Sequence, residues 1–169
     1  SRIIYIAKSF SMSVYQKILV AIDQSPRSEE VFKQATMLAK LQGAKLMVLH
    51  CLTLPRSNQD FGDRYNANLD KFMQQAQAQV NESMEATRKW MNGFVHDAEN
   101  MGVAVDWDWR IGEAGHQLCA AAQDWEADLI VVGRRGHQGL KEIMLGSVSN
   151  YVLHRAPCSV MVVQGQPAA

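Results

Sequence analysis

The sequence predicts an α/β domain built on an open, doubly wound, five-stranded parallel sheet with helices on both faces. Short aliphatic runs alternate with longer amphipathic stretches from Lys17 to Val163. The runs "KILVAI" (17–22) and "DLIVVG" (128–133) are apolar almost throughout, as strands covered on both faces must be. Glycines stand where two of the amphipathic stretches end, at Gly43 and Gly102, and glycine is the residue that most readily takes the left-handed conformation closing a helix.

The elements follow in order. Residues 17–22 form the first strand. A helix then runs from Ser28, read as its N-cap, to Gly43, with Val31, Phe32, Ala35, Leu38 and Ala39 at helical spacing. "KLMVLHCL" (45–52) is a second buried strand, and 53–67 a polar loop. A long helix begins near Asn68 and ends at Gly102; Gly93 within it costs about 1 kcal/mol relative to Ala and marks a place for distortion. "VAVDWDWRIG" (103–112) alternates apolar and polar residues and reads as a half-buried strand nearer the sheet edge. A short helix over 113–127, the strand 128–133, a helix from Ser147 to Arg155 and the strand 158–163 complete the series. Strand–helix alternation of this kind demands right-handed crossovers.

The totals bound the function. The 169 residues suit one domain with a real core, placed here at 12–165. Residues 1–11 read as an upstream or expression-derived extension ahead of Met12, and 166–169 as a short tail. Seventeen basic residues balance seventeen acidic ones, so nothing points to a nucleic-acid partner held by bulk charge. No apolar run approaches the roughly 18–20 residues of a membrane span. Three scattered cysteines, Cys51, Cys119 and Cys158, lack metal-ligand spacing and fit reduced thiols in a cytoplasmic protein.

The stretch "VVGRRGHQGLKEIMLGSVSN" (131–150) carries the chemistry. Open parallel sheets bind ligands beyond the carboxyl ends of their strands, where the winding reverses, and the first and fourth strands are the expected neighbours there. Asp23 and Ser25 follow one strand end, and Gly133 the other. Glycine lets main-chain amides approach an anion closely. Gly146, Ser147, Val148 and Ser149 then open a helix whose unpaired N–H groups and positive dipole end favour phosphate, with the Ser147 and Ser149 hydroxyls as added donors.

Gly133, two residues, Gly136, nine residues and Gly146-Ser147 make the pattern G-x2-G-x9-G-[ST]. With "KILVAID", "LHCL", "ADLIVVGRRG" and "LKEIMLGSVSNYVLHRAPCSVMVV" in that order, the chain resembles the universal stress protein family from Met12 to Val163, in its ATP-binding branch. The resemblance implies a Rossmann-like fold of the adenine nucleotide alpha hydrolase-like kind and an ATP, AMP or ADP ligand. Ala21 and Ile22 are then expected to line the adenine side, and Cys51 to meet the adenine edge through its main chain. Asp23 accepts ribose hydrogen bonds or holds a metal, Mg²⁺ being the candidate. Val132, Gly133 and Gly136 border ribose and phosphate, and Gly146, Ser147, Val148 and Ser149 hold the phosphates. Homodimers formed through the last strand, Ser159 to Val163, and an unidentified protein partner are further implications.

Plainer readings stand beside these. Asp23, Ser25 and Pro26 form an ordinary turn in isolation. Gly139 lies outside the family pattern, and Arg134, Arg135 and Lys141 fit a solvated surface as well as phosphate attraction. His50 reads as a packed, hydrogen-bonded histidine, and Trp107 and Trp109 as packing or interface residues on one face. The expected function is a nucleotide-binding stress-response sensor or regulator without an assigned catalytic residue. The alternative is a slow ATPase or autophosphorylating enzyme, which needs a positioned base that the sequence does not display; the P-loop pattern is absent.

Overall fold

A computed structural model describes residues 13–52, 69–134 and 145–164. Its elements are β1 (Lys17–Ile22), α1 (Ser28–Gln42), β2 (Lys45–Leu52), α2 (Leu69–Asn100), β3 (Val105–Ile111), α3 (Ala114–Trp125), β4 (Leu129–Gly133), α4 (Ser147–Arg155) and β5 (Ser159–Val163). The five strands form one parallel sheet in the order β3-β2-β1-β4-β5, the doubly wound architecture expected. β3, with its mixed polarity, lies at one edge.

Side-chain parity along the strands divides the interior in two. Ile18, Val20 and Ile22 point to the face covered by α1 and α2, where they pack with Val31, Phe32, Ala35, Met91 and Ala98. Leu19 points to the opposite face with Leu49, Ile130, Val132, Leu118 and Val152 of the α3 and α4 layer. Ile18, Leu19 and Val20 are wholly buried, so β1 must be apolar at successive positions. The register aligns Leu19 with Met47 of β2 and Ile130 of β4, which keeps like faces together across the sheet. At the amino edge the Asp128 carboxylate accepts the Gln16 and Lys17 N–H groups at 2.7 and 3.1 Å, fixing β4 beside β1.

Gly43 (φ +64°) and Gly102 (φ +80°) take the left-handed conformation predicted for them. The residue ending α3, Glu126, does so without being glycine, at φ 58°. Two details differ from expectation. Ser28 is the first residue of α1 rather than its cap: Arg27 holds the cap position, because the Ser28 hydroxyl is drawn back to Asp23. Gly93 does not break α2, which is helical through all 32 residues. Only the carboxyl half of α2 rests on the sheet, through Thr87, Met91 and Ala98, whereas Asp70 to Ala86 are exposed on every side, with Phe72, Met73, Val80 and Met84 among them. Among the described residues no helix is long and apolar enough to cross a membrane.

The second helical layer meets at a close approach. A Cβ on Gly115 of α3 would stand 2.8–3.0 Å from Cδ1, Cγ and Cβ of Tyr151 on α4, and the root of a tyrosine cannot swing aside. Gly115→Ala is therefore expected to destabilise the fold by about 1–3 kcal/mol through overpacking. Urea unfolding measures this, and combining it with Tyr151→Ala should recover part of the loss; a neutral Gly115→Ala would contradict the close contact.

Candidate functional site

The winding reverses between β1 and β4, whose crossovers leave to opposite sides of the sheet, so their carboxyl ends open a crevice. The chain exits β1 into a turn held by Asp23. Its Oδ1 accepts the Ser25 N–H at 2.9 Å and the Ser28 hydroxyl at 2.8 Å, while the Ser28 Oγ accepts the Asp23 N–H at 2.8 Å. This loop brings the Asp23 carboxylate to the crevice wall, and α1 departs from the same turn.

Ala21, Ile22, Asp23, Cys51, Val132, Gly133 and Val148 all line this crevice. Seven predicted site residues, drawn from four elements and the turn after β1, thus converge on one place. Parity explains the apolar wall: Ala21, Leu49, Cys51 and Val132 share the face beneath α3 and α4. Sequence reasoning did not assign Arg27, Ser28, Val31, Leu49, Ala114 and Leu118, which also line it. Leu118 follows Ala114 by one helical turn, a spacing that marks one face of α3 but not its direction. Gly136, Gly139, Arg135 and Lys141 lie outside the described residues, as do residues 1–11 and 166–169.

At the far end of the glycine-rich loop, the Gly146 N–H donates to the Arg134 carbonyl at 2.8 Å. Gly146 caps α4 with extended angles, φ −60° and ψ 155°. Ser147 is exposed at the helix start, and Val148 reaches the crevice. The first N–H groups of any helix lack intrahelical partners, so α4 presents its amino end on this side. Ser149 departs from expectation. It is buried, and its hydroxyl donates to the carbonyls of Arg134 and Gly146 at 3.1 Å each; its single proton is thereby engaged, and what Ser149 retains for a ligand is its main chain.

His50 is the packed residue foreseen. Its Nδ1 lies 3.0 Å from the Ile22 carbonyl, and because a carbonyl can only accept, Nδ1 carries the hydrogen. Its ring meets Trp90 of α2 edge-on at 4.9 Å. Trp107 and Trp109 share a face and contact each other edge-on at 5.6 Å. Among the described residues no three His, Cys, Asp or Glu side chains converge as a metal site. Burial pushes the Cys51 thiol up to about 11, against a lowering by Arg110 and a further rise from Asp108. Burial likewise raises Cys119 and Cys158.

Fold and site together define a Rossmann-like α/β domain with a crevice at the topological switch. The sequence profile described as the Universal stress protein family matches residues 14–164, and the chain belongs to that family. A universal stress protein of Synechocystis is 40% identical over 153 residues, covering 89% of this chain and 98% of the relative. Among solved structures, the hypothetical protein MJ0577 shares the fold with a TM-score of 0.72 at 23% identity, covering 91% of this chain and 99% of that one. A universal stress protein in complex with cAMP has a TM-score of 0.61 at 23% identity, with 89% and 97% covered. One from Archaeoglobus fulgidus in complex with dAMP has a TM-score of 0.60 at 22% identity, with 88% and 98% covered.

The Cys51 environment makes a measurable statement. Thiolate is the reactive form, and a thiol moved from an ordinary 9.0 to about 11 holds about a hundredfold less of it near pH 8. Iodoacetamide should therefore label Cys51 at least tenfold more slowly in the folded protein than in urea, as followed by peptide mass spectrometry. Equal rates would show the thiol to be neither buried nor shifted.

Proposed function

We propose that this chain binds an adenine nucleotide in the β1/β4 crevice and works in stress response as a sensor or regulator that reports occupancy through a homodimer or a protein partner. One observation carries the reading: the crevice joins an apolar wall on the sheet to a carboxylate at one strand end and a helix amino terminus at the other. A base, a ribose and a phosphate chain need those three surfaces in that order. The cAMP and dAMP complexes of proteins with this fold support an adenine ligand.

In this reading Ala21 and Ile22 floor the adenine, and the main chain of Cys51 meets its edge. Asp23 accepts from ribose hydroxyls, Val132, Gly133 and Gly136 flank the sugar and first phosphate, and Gly146 shapes the turn. The Ser147 hydroxyl and the first-turn amides of Ser147, Val148 and Ser149 receive the phosphates, with ATP the ligand the motif favours. Asp23 is the one carboxylate among the described lining residues. That suits an Mg²⁺ ion arriving on the triphosphate, which keeps most of its ligands as phosphate oxygens and water. The homodimer uses the β5 edge, Ser159 to Val163, where an apolar edge strand needs cover. Asp23, Arg27 and Cys51 are the ionisable side chains among the described lining residues, and binding is the activity proposed for them.

Thermal unfolding with ATP, ADP, AMP, cyclic AMP, dAMP and adenosine tests this. A ligand at a hundred times its Kd stabilises the native state by about 2.7 kcal/mol, a clear rise in Tm. A flat response to all six at millimolar concentration would overturn the proposal.

Gly146→Glu is the sharper variant. The cap angles suit any L-residue, and a carboxylate at a helix amino end is favourable to the helix. The fold should persist by circular dichroism while ATP affinity falls at least tenfold by calorimetry and adenosine affinity falls less. Unchanged ATP affinity would remove α4 from the phosphate site.

A further inference from the structure

Ser149 is only 1% exposed. It sits in the first turn of α4, and its hydroxyl bridges two carbonyls at 3.1 Å: Gly146 of its own helix and Arg134, fifteen residues earlier. One proton shared between two acceptors is a three-centre bond, common at helix ends. The Arg134 carbonyl also accepts the Gly146 N–H at 2.8 Å, and the Arg134 N–H donates to the Val163 carbonyl at 2.9 Å. Two donors from the start of α4 thus converge on one oxygen just past the end of β4, and the same residue is tied to β5 through its N–H.

We propose that Ser149 is a positioning residue for the phosphate end of the site. It fixes the amino terminus of α4 against the end of β4 so that the Ser147 and Val148 amides stand ready at the crevice. This rests on the proposed nucleotide function and assigns Ser149 a task within it that does not require contact between its hydroxyl and the ligand. The physical need is plain. β4 ends at Gly133 and α4 begins at Ser147, so the two parts of the site are joined along the chain only by the glycine-rich loop. A helix amino terminus attracts an anion over a short range, and binding that must first order the donors loses affinity to that ordering.

Ser149→Ala separates positioning from folding. It leaves the Arg134 carbonyl with the Gly146 N–H and the Gly146 carbonyl with the Asn150 N–H at 2.9 Å, so neither acceptor is stranded. Two readouts are taken on the full chain. In nucleotide-free protein, hydrogen exchange at the Gly146 amide should quicken about threefold to tenfold, the range expected from one ordinary hydrogen bond, and Ser149→Thr should restore it. By calorimetry, ATP affinity should fall by a similar factor while adenosine affinity stays within twofold. Unchanged exchange at Gly146 in Ser149→Ala overturns the inference, because a hydroxyl that touched only phosphate would leave the empty protein unaltered. Equal losses for ATP and adenosine also overturn it, exposing a general structural role. Undiminished ATP affinity in the variant, with normal binding by the parent, sinks the positioning role and leaves the proposed function standing. No nucleotide binding by the parent sinks both.

Discussion

β1 has a partner strand on each side and a helical layer on each face, and everything else in the molecule follows from that position. The middle of a strand so placed is closed to solvent on both faces, so Ile18, Leu19 and Val20 are apolar in succession. It also sits where the crossovers to its two neighbours part company, so its carboxyl end faces a gap that neither layer fills. The central strand therefore terminates at the crevice. A site set there takes its wall from the sheet itself, and the turn after β1 and the helices α1, α3 and α4 supply the remainder of the described lining.

Much of this was legible in the sequence because burial leaves a pattern. Two-sided burial wrote β1 and β4 as unbroken aliphatic runs, and one-sided exposure wrote β3 as an alternation, placing it at the edge. Gly43 and Gly102 announced helix ends because a left-handed residue is otherwise costly; Glu126 gave no such notice and ended α3 all the same. Asp23 and Gly133 could be named because strand ends in a parallel sheet share one edge, and Val148 because it opens the helix beside them; Ala21, Ile22, Cys51 and Val132 were implied by the resemblance to the universal stress protein family. What a side chain does once there was less accessible. A serine near a helix start can cap, bind a ligand or brace a loop, and only coordinates show that Ser28 turns to Asp23 and Ser149 to Arg134. The lining contributed by Ala114 and Leu118 needed the direction of α3, which periodicity does not supply.

Arg134 connects regions that look separate in the chain. Its carbonyl holds α4, its N–H holds the end of β5, and its guanidinium donates to Gln164 at 2.9 Å. The glycine-rich loop thus springs from a residue bound to both the helix beside the crevice and the outermost strand of the sheet. His50 makes a comparable link on the other face, carrying the Ile22 carbonyl at the crevice to Trp90, which in turn meets Phe94 edge-on at 5.4 Å. Both routes run through hydrogen bonds and ring contacts of defined geometry.

α2 is supported along only half its length. Its carboxyl half is welded to the sheet by Met91 and Ala98, whereas the stretch from Asp70 to Ala86 has solvent on all sides and depends on the intrinsic preference of its Gln, Ala, Met and Glu residues. Most helical stability in proteins comes from packing of one face, and this segment has none. The exposed half of α2 is accordingly expected to unwind on warming before the aromatic cluster around Phe32, Trp90 and Phe94 loosens, which would leave the van't Hoff enthalpy read from the far ultraviolet short of the calorimetric one.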